Sequence, residues 1–509
     1  MVFFLLEGFA LKKYYVRRRE NKMKISIAYP PITSNKGVPL LAQNRQFQWF
    51  NSPTYIYPMI PAYAATLLKN AGHEVYWNDF IAEEKSYDDF VKFYNNTDLD
   101  MIVIETKTPV VKEHWRIIKE LKDLKPDSFV VLVGDHVTAL PEESMNNCPV
   151  DFILTGGNYD FLLLNLCSSL QNNGMQIKID ELEAGIYYRE GNEIKNTGTF
   201  QLTHDLEELP LIDRKLTKWE LYSERNGNYS KTPGTYTMVA RDCWHHKCTF
   251  CSWTTLYPRY ATRTPESLLD EVGELIEKYG VKEIMDDSGA FPIGEWLHSF
   301  CKGMIERGYN KKVIMDCNMR FGALSFEEYA LMKKAGFRFV LFGLESANQG
   351  TLDRICKNEK VEEMIQSCRL AKKAGLSPHI TIMFGYPWED KEQIENTVKL
   401  GRKILQKGWA HTLQATIIVP YPGTALYKEC QDNDWLLTNR YEDFDQRQLV
   451  MKTTVEPDTI KSAIQSVYRV AFSPEFLVRR IFAIRSIDDI KFFCRAGKQV
   501  IGHLIDFKR

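Results

Sequence analysis

Arg241-Asp242-Cys243-Trp244-His245-His246-Lys247-Cys248-Thr249-Phe250-Cys251-Ser252-Trp253 packs three cysteines into nine residues. Thiols this close in one loop do not all pair as disulfides. Soft thiolates grouped this way select zinc or an iron–sulfur cluster. A structural zinc wants four protein ligands, and His245 or His246 would be the fourth. A 4Fe-4S cluster on three thiolates keeps one iron open for chemistry. Position matters as much as spacing. Residues 236–240 just upstream read as a strand, so the loop lies at a strand's C-terminal end, where βα barrels carry their active sites.

Downstream, strands at 283–286, 313–317, 339–343, 379–384 and 413–419 alternate with helices. One helix opens at Thr264-Pro265, an N-cap followed by proline at the first position, and stops at Gly280. Others end at Gly308, Gly336 and Gly375. Six βα units predict a partial (β/α)6 barrel, since a closed eight-unit barrel needs ~250 residues. Upstream, apolar strands at 24–28, 74–77, 101–104, 129–133 and 152–154 also alternate with helices. Strands apolar on both faces predict a doubly wound parallel sheet of α/β class, with ligands beyond the strand C-termini. The loops there fall at 29–31, 106–109, 134–136 and 156–158.

Between the two series, residues 176–232 read as a linker containing a hairpin around Glu190-Gly191-Asn192. Residues 431–509 read as helical. From Arg469 onward this tail holds nine Lys/Arg against four Asp/Glu. Its aromatics Phe472, Phe476, Phe482, Phe492 and Phe493 suit a helical cap with a buried core; an anionic-surface or substrate-lining role is the second reading. Residues 1–22 carry an apolar run, 2–6, followed by Lys12, Lys13, Arg17, Arg18 and Arg19. A secretory signal has the opposite order. This stretch reads as an extension, with Met23 as the natural start and a membrane-surface helix as the sharper alternative.

The 509 residues are 44% hydrophobic and 26% charged, with a net charge of -1. That excludes a large basic field for nucleic acid. No run reaches the ~18–20 apolar residues of a membrane span. Eleven cysteines are too sparse for a disulfide scaffold. The eight outside the loop read as ordinary thiols of a cytoplasmic protein, with Cys317 nearest the presumed site.

The cysteine loop resembles that of the cobalamin-binding radical SAM family, of the class B methyltransferase-like kind. That family's loop is usually Cys-x3-Cys-x2-Cys, with an Arg-Gly-Cys start and a Lys-Cys-Thr-Phe-Cys end. Here 247–251 keeps the end, but four residues separate Cys243 from Cys248 and Asp242 replaces the glycine. The resemblance continues through 263–272, Glu283-Ile284-Met285-Asp286-Asp287-Ser288-Gly289 and Asn318-Met319-Arg320. It also covers Gly343-Leu344-Glu345-Ser346, Gly385-Tyr386-Pro387-Trp388-Glu389 and Pro420-Tyr421-Pro422-Gly423-Thr424. In the first series, 134–143 is similar to the cobalamin-domain signature, although Gly156-Gly157-Asn158 replaces the common Gly-Glu.

The resemblance implies a domain order: extension 1–22, Rossmann-like cobalamin domain 23–175, linker 176–232, radical SAM barrel 233–430 and helical region 431–509. It implies Cys243, Cys248 and Cys251 as 4Fe-4S ligands. Phe250, Asp286, Asp287, Arg320, Glu345 and Ser346 would contact S-adenosylmethionine. Asp135, His136 and Gly156 would contact cobalamin. The chain lacks Asp-x-His-x-x-Gly, so cobalt would take no histidine from below. The implied chemistry is reductive cleavage of S-adenosylmethionine to a 5′-deoxyadenosyl radical, hydrogen abstraction from a small-molecule substrate, and methyl transfer from methylcobalamin to carbon. An external low-potential donor of flavodoxin or ferredoxin type would supply the electron. Radical cyclisation or rearrangement is the competing reaction. A zinc-stabilised binding module is the alternative of another class.

Overall fold

The computed structural model describes residues 22–41, 47–51, 54–484 and 487–506. The extension and its surface-helix alternative lie, save for Lys22, outside the described residues.

The first sheet has seven strands: β1 (Lys24–Tyr29), β2 (Glu74–Asp79), β3 (Met101–Glu105), β4 (Phe129–Val133), β5 (Phe152–Leu154), β6 (Ile186–Glu190) and β7 (Glu193–Asn196). Their order is β2-β1-β3-β4-β5-β6-β7. The first five are parallel, with Ile25 opposite Met101 and Ile102 opposite Val130. Met101, Ile102, Val103 and Ile104 are all buried, because helices cover both faces. The order 2-1-3-4-5 places the topological switch between β1 and β3, and ligands sit outside the strand ends there.

The hairpin expected inside the 176–232 stretch forms, but it belongs to this sheet. Phe152 pairs with Tyr188 antiparallel, and Ile186 and Tyr188 turn into the core. Without it β5 would be a bare apolar edge. Later in the same stretch Tyr222 is buried too: its hydroxyl donates to Asp79 (2.8 Å) and accepts from the Trp77 indole (3.0 Å).

The second sheet comprises β8 (Gly234–Thr237), β9 (Glu283–Asp286), β10 (Ile314–Met319), β11 (Phe337–Glu345), β12 (Ser377–Phe384) and β13 (Thr412–Ile417), all parallel and in chain order. This is the six-unit open barrel anticipated from the sequence. Its first strand stops earlier than 240, because the Val239 N–H leaves the ladder for the Asp286 carboxylate (3.0 Å). Ala240 and Arg241 then pair antiparallel with Thr262 and Ala261. The helix Pro265–Tyr279 has the anticipated ends: the Thr264 hydroxyl caps the Ser267 N–H, and Gly280 is left-handed at φ +64°.

The C-terminal region is helical, with α1 (Pro457–Tyr468), α2 (Pro474–Ala483) and α3 (Ile487–Asp506). Ile460, Ile464 and Val467 of α1 are core, and the Tyr468 hydroxyl bonds the Ala415 backbone (2.9 and 3.0 Å). The expectation that the tail's aromatics are core holds only in part: Phe476 packs inward, while Phe472 and Phe482 are exposed. Among the described residues, no helix is long and apolar enough to cross a membrane.

The two sheets meet through their C-terminal ends. Gly157, after β5, donates to the Leu256 carbonyl (2.8 Å), and Arg241, after β8, reaches back to Asp160 (2.7 Å) and the Gly157 carbonyl (3.3 Å). Gln48 bonds Gln446 (3.0 Å), and Lys36 bonds Asp445 (2.6 Å).

Candidate active site

A cavity of about 180 Å³ lies at the C-terminal end of the barrel. Cys243, Cys248 and Cys251 line it, as do Phe250, Arg320, Glu345 and Lys357. None of the three thiols is in a disulfide. The loop turns left-handed at Asp242 (φ +73°) and His246 (φ +48°). Glycine adopts such angles freely, which gives a physical reason for the usual Arg-Gly-Cys start; aspartate is among the few other residues that tolerate them. His246 lies within the Cys243–Cys248 spacer, and its imidazole approaches the Asp242 carboxylate.

Burial pushes the Cys248 thiol up to about 11 and raises Cys243 and Cys251 as well. Opposing groups are built in. The His245 and His246 N–H groups face the Cys243 sulfur, the Trp253 N–H faces Cys251, and Lys357 and Arg320 act on Cys248. Such donors stabilise thiolates. Both histidines that a zinc site would need are committed elsewhere. His245 bonds the Cys356 carbonyl (2.7 Å), and His246 holds Asp242. Three soft donors around one cavity, with N–H groups at their sulfurs, fit a multi-iron cluster.

Beside the thiols lies a buried charge group. The Lys357 ammonium bonds Glu345 (3.0 Å) and approaches Glu359 (4.0 Å). Arg320 pairs with Glu359 (3.4 Å), donates to the Lys357 carbonyl and stacks over Trp244 (5.4 Å). Burial alone would lower the Lys357 pKa, but Glu345 and Glu359 lift it above its usual value. Glu345 is left-handed at φ +62°, a backbone cost met where a side chain is held for function. Gly343 makes room for the pair: a Cβ there would lie 2.7 Å from the Lys357 ammonium and collide with the Glu345 carboxylate.

Several of the other expected contact residues have partners within the protein. The Asp286 carboxylate accepts from the Thr237 hydroxyl (2.9 Å), Val239 N–H (3.0 Å) and Ser288 N–H (3.1 Å), and neither it nor Asp287 lines the cavity. Ser346 donates to Glu389 (2.6 Å) inside a buried network with Asn348. In the first unit, His136 is engaged at both nitrogens, by Thr108 and Glu143 (3.2 Å each), and stacks edge-on with Tyr441. Asp135 approaches Lys107 (3.5 Å) at the switch point, beside Glu105, which accepts from Tyr29. Gly156 (φ +82°) is needed because the Phe200 ring fills the space a Cβ would take. Lys357, Glu359, Gln414 and Gln446 fall outside every segment that the sequence singles out, whereas Trp244 and Tyr421 lie within the cysteine loop and the Pro420–Thr424 turn. No periodic or motif signal marks Lys357, which arrives from a loop between helices.

The sequence pattern of the Radical SAM superfamily matches residues 238–401, and that of the B12 binding domain matches residues 51–159. The chain belongs to the cobalamin-binding radical SAM family. An uncharacterised methyltransferase of Pyrococcus horikoshii is 27% identical over 84% of this chain and 90% of its own length. The anaerobic magnesium-protoporphyrin IX monomethyl ester cyclase of Cereibacter sphaeroides is 25% identical over 74% of this chain and 60% of its own length. The cobalamin-dependent S-adenosylmethionine radical enzyme OxsB, solved with aqua-cobalamin and S-adenosylmethionine, superposes with a TM-score of 0.68 at 13% identity, over 95% of this chain and 72% of that one. As a radical SAM enzyme, the protein has a 4Fe-4S cluster, S-adenosylmethionine and cobalamin as cofactors, and it needs an external reductant and a small-molecule substrate. The zinc-stabilised binding module is thereby set aside.

Proposed function

We propose that this protein is a cobalamin-dependent radical SAM methyltransferase acting at carbon on a small molecule. One observation carries the reading. Three thiols share a cavity with Lys357, Arg320 and Glu345, and Gln446 of the same cavity bonds Gln48 of the first unit. Chemistry in the barrel therefore sits against the C-terminal side of the doubly wound sheet.

When bound, the cluster supplies the electron that breaks the sulfonium C–S bond of S-adenosylmethionine, and cobalamin supplies a transferable methyl group. The protein's part is to bind, orient and exclude water. Cys243, Cys248 and Cys251 are the cluster ligands. Lys357 and Arg320 bind the carboxylate of the methionine moiety, and Glu345 accepts from its ammonium. The Lys357–Glu345 bond holds both groups in place beforehand, so little order is lost on binding. Phe250 packs on the adenine. Met383, Ile418 and Val419 keep the reacting region dry. On the cobalamin side, Asp135 and Lys107 offer polar groups at the switch point. His136, saturated within its own unit, gives cobalt no ligand. The reductant is of flavodoxin or ferredoxin type, and eleven free thiols suit the reducing cytoplasm.

The similarity to a cyclase keeps ring formation as the second reading. Anaerobic reconstitution with methyl-labelled S-adenosylmethionine separates the two. Label in the product is expected; a turned-over product without label refutes methylation.

A further inference from the structure

Seven of the thirteen exposed large hydrophobic residues among those described lie between Phe472 and Ile501. On α2 two arginines reach back to the barrel: Arg480, half-buried, bonds His411 (2.9 Å), and Arg479, still exposed, donates to the Leu405 and Gln406 carbonyls (3.2 and 2.6 Å). Leu477, Val478 and Ile481, one helical face by their spacing, point outward, with Val478 at 52% and Ile481 at 61% exposure. A surface helix ordinarily does the opposite. On α3, Phe492 stacks on His411 (5.8 Å), Arg495 donates to the Tyr229 carbonyl (2.8 Å) and Val500 packs on the core. Its outer face carries Ile490, Ile501, Lys491 and Lys498.

We propose that the outer faces of α2 and α3 seat the protein on an anionic lipid bilayer. Apolar side chains interleaved with lysines suit the headgroup–acyl boundary, where apolar burial and attraction to anionic headgroups add. Charge decides the occupant: the basic side chains on this outer face, Lys491 and Lys498, are both exposed and stand beside Ile490 and Ile501. A second copy would bring the same lysines face to face. The helices lie in the interface rather than across it, as none is long and apolar enough to span. Tyr229, Arg338 and His411, which α3 touches, precede or begin barrel strands. The seated face is thus the barrel end opposite the cysteine loop. The cysteine loop and the first unit then lie on the side of the barrel away from the bilayer.

The test is flotation of the full-length, cluster-loaded protein with phosphatidylcholine vesicles and with phosphatidylcholine–phosphatidylglycerol vesicles. The protein should float with the anionic vesicles, less so at high salt. Lys491→Gln with Lys498→Gln should lower that partition about thirtyfold, at ~1 kcal/mol per basic residue. Val478→Asn with Ile481→Asn should lower it about tenfold or more through lost apolar burial. Both variants should keep the wild-type melting temperature and iron content, because the altered side chains point outward. No flotation with either vesicle overturns the proposal. So does undiminished flotation of both variants, which would place the contact elsewhere, as in residues 1–21. A vesicle-free dimer that Val478→Asn with Ile481→Asn dissolves also overturns it, since the occupant is then a second copy.

Discussion

Arg241 and Asp160 are both fully buried, 2.7 Å apart, and come from different sheets. Arg241 begins the cysteine loop; Asp160 lies in the first turn of the helix Tyr159–Asn172. The remaining partners of the guanidinium are the Gly157 carbonyl at 3.3 Å and the Tyr63 ring at 5.5 Å. Neither neutralises a charge. Asp160→Leu keeps the branched shape and removes the anion, leaving a cation in a dry interface. Stranding one member of a buried pair costs ~3–5 kcal/mol. Loss of the Asp160 bond to the Phe161 N–H (3.1 Å) adds about 0.5–1 kcal/mol. The double change Asp160→Leu with Arg241→Met removes both charges and their desolvation, so it should recover most of that loss. Anaerobic chemical denaturation of the cofactor-free chain, followed by tryptophan fluorescence, measures each variant. A cost below about 1 kcal/mol for Asp160→Leu, or a double variant as unstable as the single, refutes the pair as the tie between sheet and loop.

Cys243→Ala, Cys248→Ala and Cys251→Ala should each abolish formation of 5′-deoxyadenosine and lower iron content; retained cleavage in any one shows the ligand set to be wrong. Lys357→Met should weaken S-adenosylmethionine binding about 10–100-fold with iron content unchanged, since it deletes a charge-assisted bond from the cavity and not a ligand; equilibrium binding to the reconstituted protein checks this, and unchanged affinity refutes it. Burial raises the Asp79 carboxyl to about 6. An acid raised on folding lends stability that is present below its unfolded value near 4 and lost as pH rises through its folded value. Relative to Asp79→Asn, the wild type should therefore lose up to about 3 kcal/mol between about pH 4 and 7, and parallel stability–pH curves would refute the shift.

Several features are local and were legible as such. Aliphatic runs at 101–104 and 129–133 form central strands because no other placement hides both of their faces. Thr264-Pro265 and Gly280 bound their helix through backbone chemistry carried in a few residues. The 186–194 hairpin is local too, but its partner is not: only the folded sheet shows that it covers the edge of β5.

The candidate site divides along the same line. Three cysteines in nine residues announce a metal-binding loop, because their closeness in space follows from closeness in sequence. Whether an acidic or hydroxyl side chain faces that loop depends on competing partners that no local pattern records. Asp286 is taken by Thr237, Val239 and Ser288, and Ser346 by Glu389. Lys357 enters the cavity because a buried ammonium must find carboxylates, and Glu345 and Glu359 are there to meet it. The cysteine loop, the six βα units and the doubly wound series follow from short-range order in the chain. The tie from Arg241 to Asp160, the charge group beside the thiols and the outward apolar face of α2 arise only when distant segments compete for the same buried space.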